Sequence, residues 1–345
     1  MWRSLSVLLV FLAHAICRPP TQDDVAALFD ASFISESPAN NWTIDYDRKL
    51  AEFALDFAAA AYSKDPTPCL AKNNATLIRR VQVPCDYIDD QCWAFVARSE
   101  EWIIFAVRGT KTKLQLITEL VESMTAPKMT FPAGGSVQRY FYSALQSLWK
   151  AGFGALLKDL KVEFPKAKML FTGHSLGGAL ASLASSMFAY EHPTMAKPDE
   201  VFLITFGQPR VGNILYAAAH DKIVPNSWRL VHSHDIVPHL PYCFEDFWTK
   251  CTAGRNHTPY HHGTENLLQI WYPEDMNNSS IFRICTAEPI NEDASCSNEY
   301  YVHFNIIDHL AYLGKDVDLH GTTGCKDTRR AAKKRYYMLS NRTKP

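Results

Sequence analysis

The sequence predicts an α/β fold in which a central, mostly parallel mixed sheet is flanked by helices. The first observation is an apolar run at 168–172 that enters a glycine-rich turn. The second is a segment of small residues at 176–190 that leaves the turn with helical character, and the third is another apolar run at 201–206. This order is typical of a β-α-β unit, whose two strands are parallel.

Further elements are predicted on both sides of this unit. The first helix is expected because Leu50, Phe53, Ala54 and Phe57 recur at helical spacing. A hairpin is expected where the polar run Arg-Ser-Glu-Glu separates two apolar segments. In chain order, the predicted elements are a helix over 47–61, a loop around Cys69, hairpin strands 93–98 and 102–108, a helical stretch over 137–163, a helix over 214–222, a strand over 228–233 and disulfide-pinned loops from 241 to about 300.

The length of 345 residues allows one large domain or two smaller ones, and contents of 47% hydrophobic and 21% charged residues are typical of a globular protein. A formal net charge of −1 gives no reason to expect a nucleic-acid partner. We expect a single domain over 18–325 and a basic tail over 326–345. The tail either assists contact with an anionic lipid surface or is simply solvated.

The N-terminus is typical of a secretory signal peptide over residues 1–17. Arg3 supplies a basic start, residues 5–12 an apolar run, and Ala13-His-Ala15 a small-residue cleavage site. Cleavage after Ala15 and cleavage after Cys17 both fit, and the later site leaves an even number of cysteines. The apolar run is too short to span a bilayer, and no transmembrane segment is predicted elsewhere. The sequence therefore predicts a secreted, extracellular protein.

Cysteines of secreted proteins are usually paired, so we expect eight of the nine to form disulfides. Three of those eight precede the glycine-rich turn and five follow it, so at least one bridge must join the two groups if all eight pair. A zinc site is not expected, because no C-x-x-C pair occurs. The nine cysteines are Cys17, Cys69, Cys85, Cys92, Cys243, Cys251, Cys285, Cys296 and Cys325.

Six sequons for N-glycosylation also favour the secretory pathway, because this modification takes place there. Chance spacing of Asn, Ser and Thr produces some sequons, so occupancy of all six is not required. The candidate residues are Asn41, Asn74, Asn256, Asn277, Asn278 and Asn341.

The glycine-rich turn reads Gly173-His174-Ser175-Leu176-Gly177, a G-x-S-x-G pattern between a strand and a helix. In a nucleophile elbow of this kind, the serine occupies a sharp turn that exposes its hydroxyl. Such a turn forces close backbone approaches, which glycines at 173 and 177 permit because they lack Cβ atoms. The following helix directs its N-terminal N–H groups at the reaction centre, where they favour negative charge. Ser175 is therefore the candidate nucleophile.

Five segments in order resemble the class 3, or fungal-lipase-like, family of α/β-hydrolases over about residues 102–313. The elbow is one of them, and the others precede or follow it at the ends of predicted strands or close to the C-terminus. The matching segments are 103–110 (IIFAVRGT), 172–178 (TGHSLGG), 205–213 (TFGQPRVGN), 229–241 (RLVHSHDIVPHLP) and 308–312 (DHLAY).

The resemblance implies an α/β-hydrolase with a triad in the order Ser175, Asp235, His309. Asp235 follows a probable strand, whereas Asp199 and Asp221 lie on a predicted loop and helix surface. Asp308 is rejected as the acid because adjacent residues do not readily pair in triad geometry. We expect the backbone N–H of Leu176 and, by resemblance, Thr110 to form the oxyanion hole. The alternative for Thr110 is a helix N-cap, and the two roles are compatible. The histidines that compete with His309 are His239, His257, His261, His262, His303 and His320.

After Thr110, apolar residues follow helical spacing. Related lipases carry a lid here, which covers the site in water and opens on lipid. The alternative is an ordinary helix that faces the core. The candidate lid residues are Leu114, Ile117, Leu120, Val121 and Met124.

The combined prediction is a secreted serine ester hydrolase that cleaves acylglycerols at a lipid interface through an acyl-enzyme. The alternatives are a phospholipase, an esterase of soluble esters, or an inactive secreted lipid-binding protein. No cofactor and no metal site are predicted. The histidine pairs His232/His234 and His261/His262 are interpreted as polar loop residues rather than metal ligands.

Overall fold

Parallel strands at the middle of a sheet are buried on both faces, and two of these strands, at 102–107 and 201–206, are almost entirely apolar. The computed structural model describes residues 46–85, 91–110, 128–243, 258–263, 268–273, 281–285, 292–293, 295–297 and 306–328, and residues 330, 331, 334 and 338. All of them belong to one compact unit over 44–345.

The helices are α1 (Arg48–Ala60), α2 (Thr67–Lys72), α3 (Arg139–Lys150), α4 (Phe153–Glu163), α5 (Leu176–Glu191), α6 (Ile214–Ile223) and α7 (Val317–Thr322). Two short 3₁₀ helices lie at Val237–His239 and Asp308–Leu310. The strands are β1 (Thr76–Pro84), β2 (Gln91–Arg98), β3 (Trp102–Val107), β4 (Met129–Thr130), β5 (Ser136–Val137), β6 (Lys168–His174), β7 (Val201–Phe206), β8 (Gly212–Asn213), β9 (Asn226–His232), β10 (Pro259–Tyr260), β11 (Leu268–Tyr272), β12 (Arg283–Cys285), β13 (Ala311–Tyr312) and β14 (Lys315–Asp316).

The main sheet has the strand order β1-β2-β3-β6-β7-β9-β11-β12 within the described residues. The neighbouring strands β3, β6, β7, β9 and β11 are parallel to one another. Strands β1 and β2 at one edge and β12 at the other are paired antiparallel. Successive side chains of a strand point to opposite faces of the sheet. Phe105 therefore packs in the hydrophobic core shared with α3, α4 and α5, and Ile104 packs in the core on the other face, shared with α1 and α7. The predicted mixed, mostly parallel sheet with flanking helices is confirmed.

Three local predictions are corrected. The helical stretch over 137–163 is two helices, because the chain turns at Gly152, which adopts φ 92°. Cys69 lies in α2 rather than in a loop. Part of the region from 241 to 300 forms β11 and β12, which extend the main sheet beyond β9.

Disulfides join distant parts of the chain as well as neighbours. Cys69 pairs with Cys325, which confirms that a bridge links the cysteines before the elbow to those after it. Cys243 is also disulfide-bonded. The remaining pairs among the described residues are Cys85–Cys92 and Cys285–Cys296.

A buried carboxylate also connects the helices before β1 with the segment that carries Cys325. Asp56 of α1 accepts hydrogen bonds from Lys315 Nζ at 2.8 Å, His320 Nε2 at 2.7 Å and Lys72 Nζ at 3.0 Å. These partners belong to the β14–α7 segment and to α2, so one side chain ties three elements together. Within the described residues, none of the helices combines the length and apolar character that crossing a bilayer requires.

Removal of the Cys69–Cys325 bridge should destabilise the protein more than removal of a local bridge, because the closed loop is far longer. Loop-closure entropy predicts a loss of about 5.5 kcal/mol for C69A/C325A and about 2.5 kcal/mol for the control C85A/C92A. Urea unfolding of both variants measures the difference. Equal losses would contradict the entropic explanation.

Candidate active site

Ser175 lies on a sharp turn between β6 and α5, in a backbone conformation (φ 60°, ψ −131°) that is rare for a side-chain-bearing residue. A Cβ on Gly173 would lie 2.3 Å from the Gly177 carbonyl group, and one on Gly177 would lie 2.2 Å from the Val107 carbonyl oxygen. Because both distances are impossible, the turn requires glycine at these positions. The Ser175 amide donates to the Phe206 carbonyl at 2.9 Å, which fixes the turn to β7.

Asp235 follows β9 and is fully buried. Its Oδ2 accepts hydrogen bonds from His309 Nδ1 at 2.8 Å and from the Tyr312 hydroxyl at 2.5 Å, and its Oδ1 accepts one from the Val237 amide at 2.8 Å. Burial by itself raises the pKa of this carboxyl, but the charge and hydrogen bond of His309 and the other two donors outweigh it. The pKa of Asp235 is therefore below its ordinary value, and the group is a carboxylate at neutral pH.

His309 lies in the second 3₁₀ helix, which is held against the end of β9. His232 Nδ1 donates to the Asp308 carbonyl at 2.8 Å, and the His234 amide donates to the Asp308 carboxylate at 3.1 Å. The Asp308 side chain is thus engaged by the segment that carries Asp235. These contacts bring the ring of His309 onto Asp235, although 74 residues separate the two.

The Ser175 hydroxyl and His309 Nε2 are both buried, and neither has a hydrogen-bond partner in this structure. Ser175 is only 2% exposed. Nucleophile–base hydrogen bonds are often long without substrate and shorten when it binds. The Ser175 hydroxyl is therefore shielded from solvent in this structure.

Gly207 leaves space for the side chains of Asp235 and His309, a role that the sequence did not predict. It follows β7 with φ 59°, and a Cβ there would lie 2.8 Å from Asp235 Oδ2 and 2.8 Å from His309 Nδ1. The glycine was visible in the segment 205–213, but its purpose depends on two residues that follow it much later in the chain.

The turn after β3 lies beside the elbow, since a Cβ on Gly109 would lie 3.0 Å from Ser175 Cβ. The Gly109 carbonyl accepts a hydrogen bond from Arg108 Nε at 3.1 Å. In a trans peptide the carbonyl and the next N–H point in opposite directions, so the Thr110 N–H points away from Arg108. Arg108 is held in turn by the Gln91 carbonyl at 2.6 Å and by the Trp93 ring.

Leu176 is the first residue of α5, so its N–H has no acceptor within the helix and is available to a ligand. Thr110 is half-buried. The lid candidates Leu114, Ile117, Leu120, Val121 and Met124 lie outside the described residues. Of the six sequons, Asn74 lies in an exposed turn after α2, and the other five lie outside the described residues.

Several of the competing acids and bases have surroundings or partners other than Ser175 and Asp235. Asp199 is exposed, Asp221 accepts a hydrogen bond from the Gly263 amide, and His320 binds Asp56. His257 and His303 lie outside the described residues. The interpretation of His232, His261 and His262 as polar loop residues is corrected, because all three are buried and hydrogen-bonded.

His220, Asp221 and His262 lie close enough to share a metal ion, with ligand atoms within 4.8 Å of one another. Both ring nitrogens of His220 are hydrogen-bonded, to Ser186 at 2.7 Å and to Ser227 at 2.9 Å. Burial, together with the charge of the nearby Arg229, lowers the pKa of both His220 and His262. This cluster is therefore better suited to packing than to binding a cation.

Comparison with known proteins places this geometry among lipases. The family model described as Lipase (class 3) matches residues 104–245. A lipase of Caenorhabditis elegans is 35% identical over 302 residues, which are 81% of this chain and 83% of that protein. A lipase of Rhizopus niveus is 31% identical over 221 residues, which are 64% of this chain and 50% of that protein.

Solved structures have the same fold. A lipase from Rhizopus microsporus var. chinensis matches with a TM-score of 0.63 and 27% identity, over 81% of this chain and 93% of that one. A triacylglycerol lipase described as having a serine protease triad at its catalytic centre matches with a TM-score of 0.64 and 25% identity, over 79% of this chain and 96% of that one.

The buried histidines should make folding sensitive to acid. Burial, with the charge of Arg229, lowers the pKa of His220 from 6.5 to about 3. Because the folded pKa lies below the unfolded one, this group stabilises the fold fully above pH 6.5 and progressively less as pH falls towards 3. In H220Q, the free energy of unfolding should fall less steeply over that window, by about 1.4 kcal/mol per pH unit.

Urea unfolding at several pH values measures this slope. The control S186A removes a partner of His220 but keeps the titrating ring, so it should lower stability with the wild-type slope. A slope of H220Q equal to wild type would refute the assignment.

Proposed function

Since the chain belongs to the class 3 family of lipases and is a carboxylic ester hydrolase of the lipase type, we propose that it cleaves acylglycerol esters with Ser175, His309 and Asp235. The observation that carries this proposal is the buried hydrogen bond between Asp235 and His309, formed beside a serine on a strained elbow. The three residues stand in the chain order of α/β-hydrolase triads.

In the proposed mechanism, Ser175 Oγ attacks the ester carbonyl carbon while His309 Nε2 accepts the hydroxyl proton. The imidazolium then gives this proton to the alcohol oxygen, the carbon–oxygen bond breaks, and the acyl group remains on Ser175. Water, deprotonated by His309, cleaves the acyl-enzyme and restores the serine. Asp235 accepts the Nδ1 hydrogen bond throughout, which fixes the tautomer and stabilises the imidazolium.

Negative charge on the former carbonyl oxygen needs donors that are already in place. The Leu176 N–H at the start of α5 and the Thr110 N–H are the proposed donors. Arg108 supports the second of these because its bond to the Gly109 carbonyl sets the direction of the following N–H. Each such donor contributes about 2.7–4 kcal/mol to the stability of the transition state.

Acylglycerol is the proposed substrate class, at a lipid interface. The solved relative with a serine protease triad is described as a triacylglycerol lipase. The burial of Ser175 supports a site that opens on contact with substrate rather than one that stands open in water. A phospholipase or an esterase of soluble esters is the second candidate, because the same triad and elbow serve any carboxylic ester.

Secretion and glycosylation are part of the proposal. Three disulfides within the described residues are typical of an oxidising, extracellular environment. Asn74 is exposed in the turn after α2, so a glycan there would point into solvent.

Loss of the nucleophile should abolish turnover. S175A should have no measurable hydrolysis of tributyrin, and D235N should lower kcat by about 10⁴-fold because the His309 tautomer is no longer fixed. The control D199N alters an exposed carboxylate and should keep wild-type activity. Ester cleavage by purified S175A would overturn the triad.

The rate of hydrolysis, measured at increasing tributyrin concentration, also distinguishes a lipase from an esterase of soluble esters. For a lipase, the rate should rise sharply when tributyrin exceeds its solubility limit, because the interface favours the open form. This rise also tests the lid prediction for residues 114–124. Simple saturation below the limit would favour an esterase of soluble substrates and an ordinary helix at that position.

A further inference from the structure

We propose that His174, supported by Tyr62, is a positioning residue that holds the His309 ring in its working orientation. The inference rests on the proposed function, because it assigns His174 no part in ester chemistry and gives it a role only through His309. The two residues lie 135 positions apart in the chain.

The first argument is contact with both the ring and the backbone of His309. The two imidazole rings are stacked, with centroids 4.5 Å apart and planes inclined by 29°. His174 Nε2 lies 2.8 Å from the His309 carbonyl oxygen. One side chain therefore covers a face of the His309 ring and fixes the peptide from which that ring extends.

The second argument is that the hydrogen bonds define one tautomer. A carbonyl oxygen only accepts, so His174 Nε2 carries the proton and donates. Nδ1 of the neutral ring is then an acceptor, and the Tyr62 hydroxyl donates to it at 2.7 Å. Tyr62 lies just after α1, so this pair connects α1 through the elbow to the 3₁₀ helix of His309.

The third argument is that His174 stays neutral. Burial, with the charge of His309, lowers the pKa of His174 to about 3, against smaller opposing effects of its bond to the His309 carbonyl and of Asp235. When His309 becomes an imidazolium during turnover, its stacking partner therefore carries no charge. A second cation at this distance would oppose the proton transfer that catalysis requires.

The position of His309 Nε2 depends on these contacts. Asp235 fixes Nδ1 at one side of the ring, whereas Nε2 itself has no hydrogen-bond partner in this structure. A bond at Nδ1 alone leaves the ring free to tilt about it. The stacked face of His174 restricts that tilt, and misplacement of a reacting atom by about 1 Å costs roughly 100-fold in rate.

Kinetics on a soluble p-nitrophenyl ester test the proposal without an interface. H174F keeps an aromatic face but loses both hydrogen bonds, so kcat should fall about 10- to 100-fold with KM within twofold of wild type. H174Q can still donate to the His309 carbonyl and should recover part of this loss. The control H220F removes another buried histidine, away from His309, and should keep wild-type kcat.

A double-mutant cycle shows whether Tyr62 acts through His174. Y62F alone should lower kcat several-fold, whereas Y62F in the H174F background should cost nothing further. If the two losses multiply instead, or if H174F keeps wild-type kcat, the proposal is overturned. If H174F does not fold, H174Q and Y62F carry the test, and wild-type kcat in both overturns it.

Labelling with an organophosphonate distinguishes failure of this inference from failure of the proposed function. A wild-type protein that neither hydrolyses esters nor reacts at Ser175 overturns the proposed function and the inference with it. A wild-type protein that is labelled and active, with an H174F variant of equal kcat, overturns the inference alone.

Discussion

The backbone turn at Ser175 is the constraint on which the rest of the site depends. It places a side-chain-bearing residue at φ 60°, and it persists because β6, β7 and α5 hold it from three sides. Gly177 packs so closely on the carbonyl of Val107 that β3 and the turn after it are brought beside the same point. One strained residue thus sets the distances among the Ser175 hydroxyl, the N-terminus of α5 and the neighbouring strand.

The loop that carries Asp235 is held by a buried ion pair as well as by the apolar cluster around Val237. Arg210 makes two hydrogen bonds to Glu292, at 2.8 and 2.7 Å, and donates to the carbonyls of His239 and Pro241. Both charged groups are buried, so removal of either one would leave the other uncompensated, at a cost of about 3–5 kcal/mol. This ion pair therefore anchors the segment that follows Asp235.

Sequence reasoning succeeded where a pattern is local. The elbow and the parallel strands on either side of it follow from spacing within about forty residues, and the fold and family are confirmed. The sequence did not predict the edge strand β1, because its exposed, charged residues obscure the apolar–polar alternation of a strand. It did not predict β12 because that strand is only three residues long. Gly207 and Tyr312 were quoted within motifs, yet their contacts with Asp235 depend on folding that no local spacing records.

The bridge between Cys69 and Cys325 closes most of the chain into a covalent ring. A protease that cuts once inside this ring, for instance at the largely exposed loop between α5 and β7, opens the ring but releases no fragment. The two pieces stay attached, and neighbouring strands β6 and β7 still pair across the cut. The nicked molecule would migrate as an intact chain until a reductant separates it. The ring therefore keeps the molecule in one covalent piece after a first cleavage.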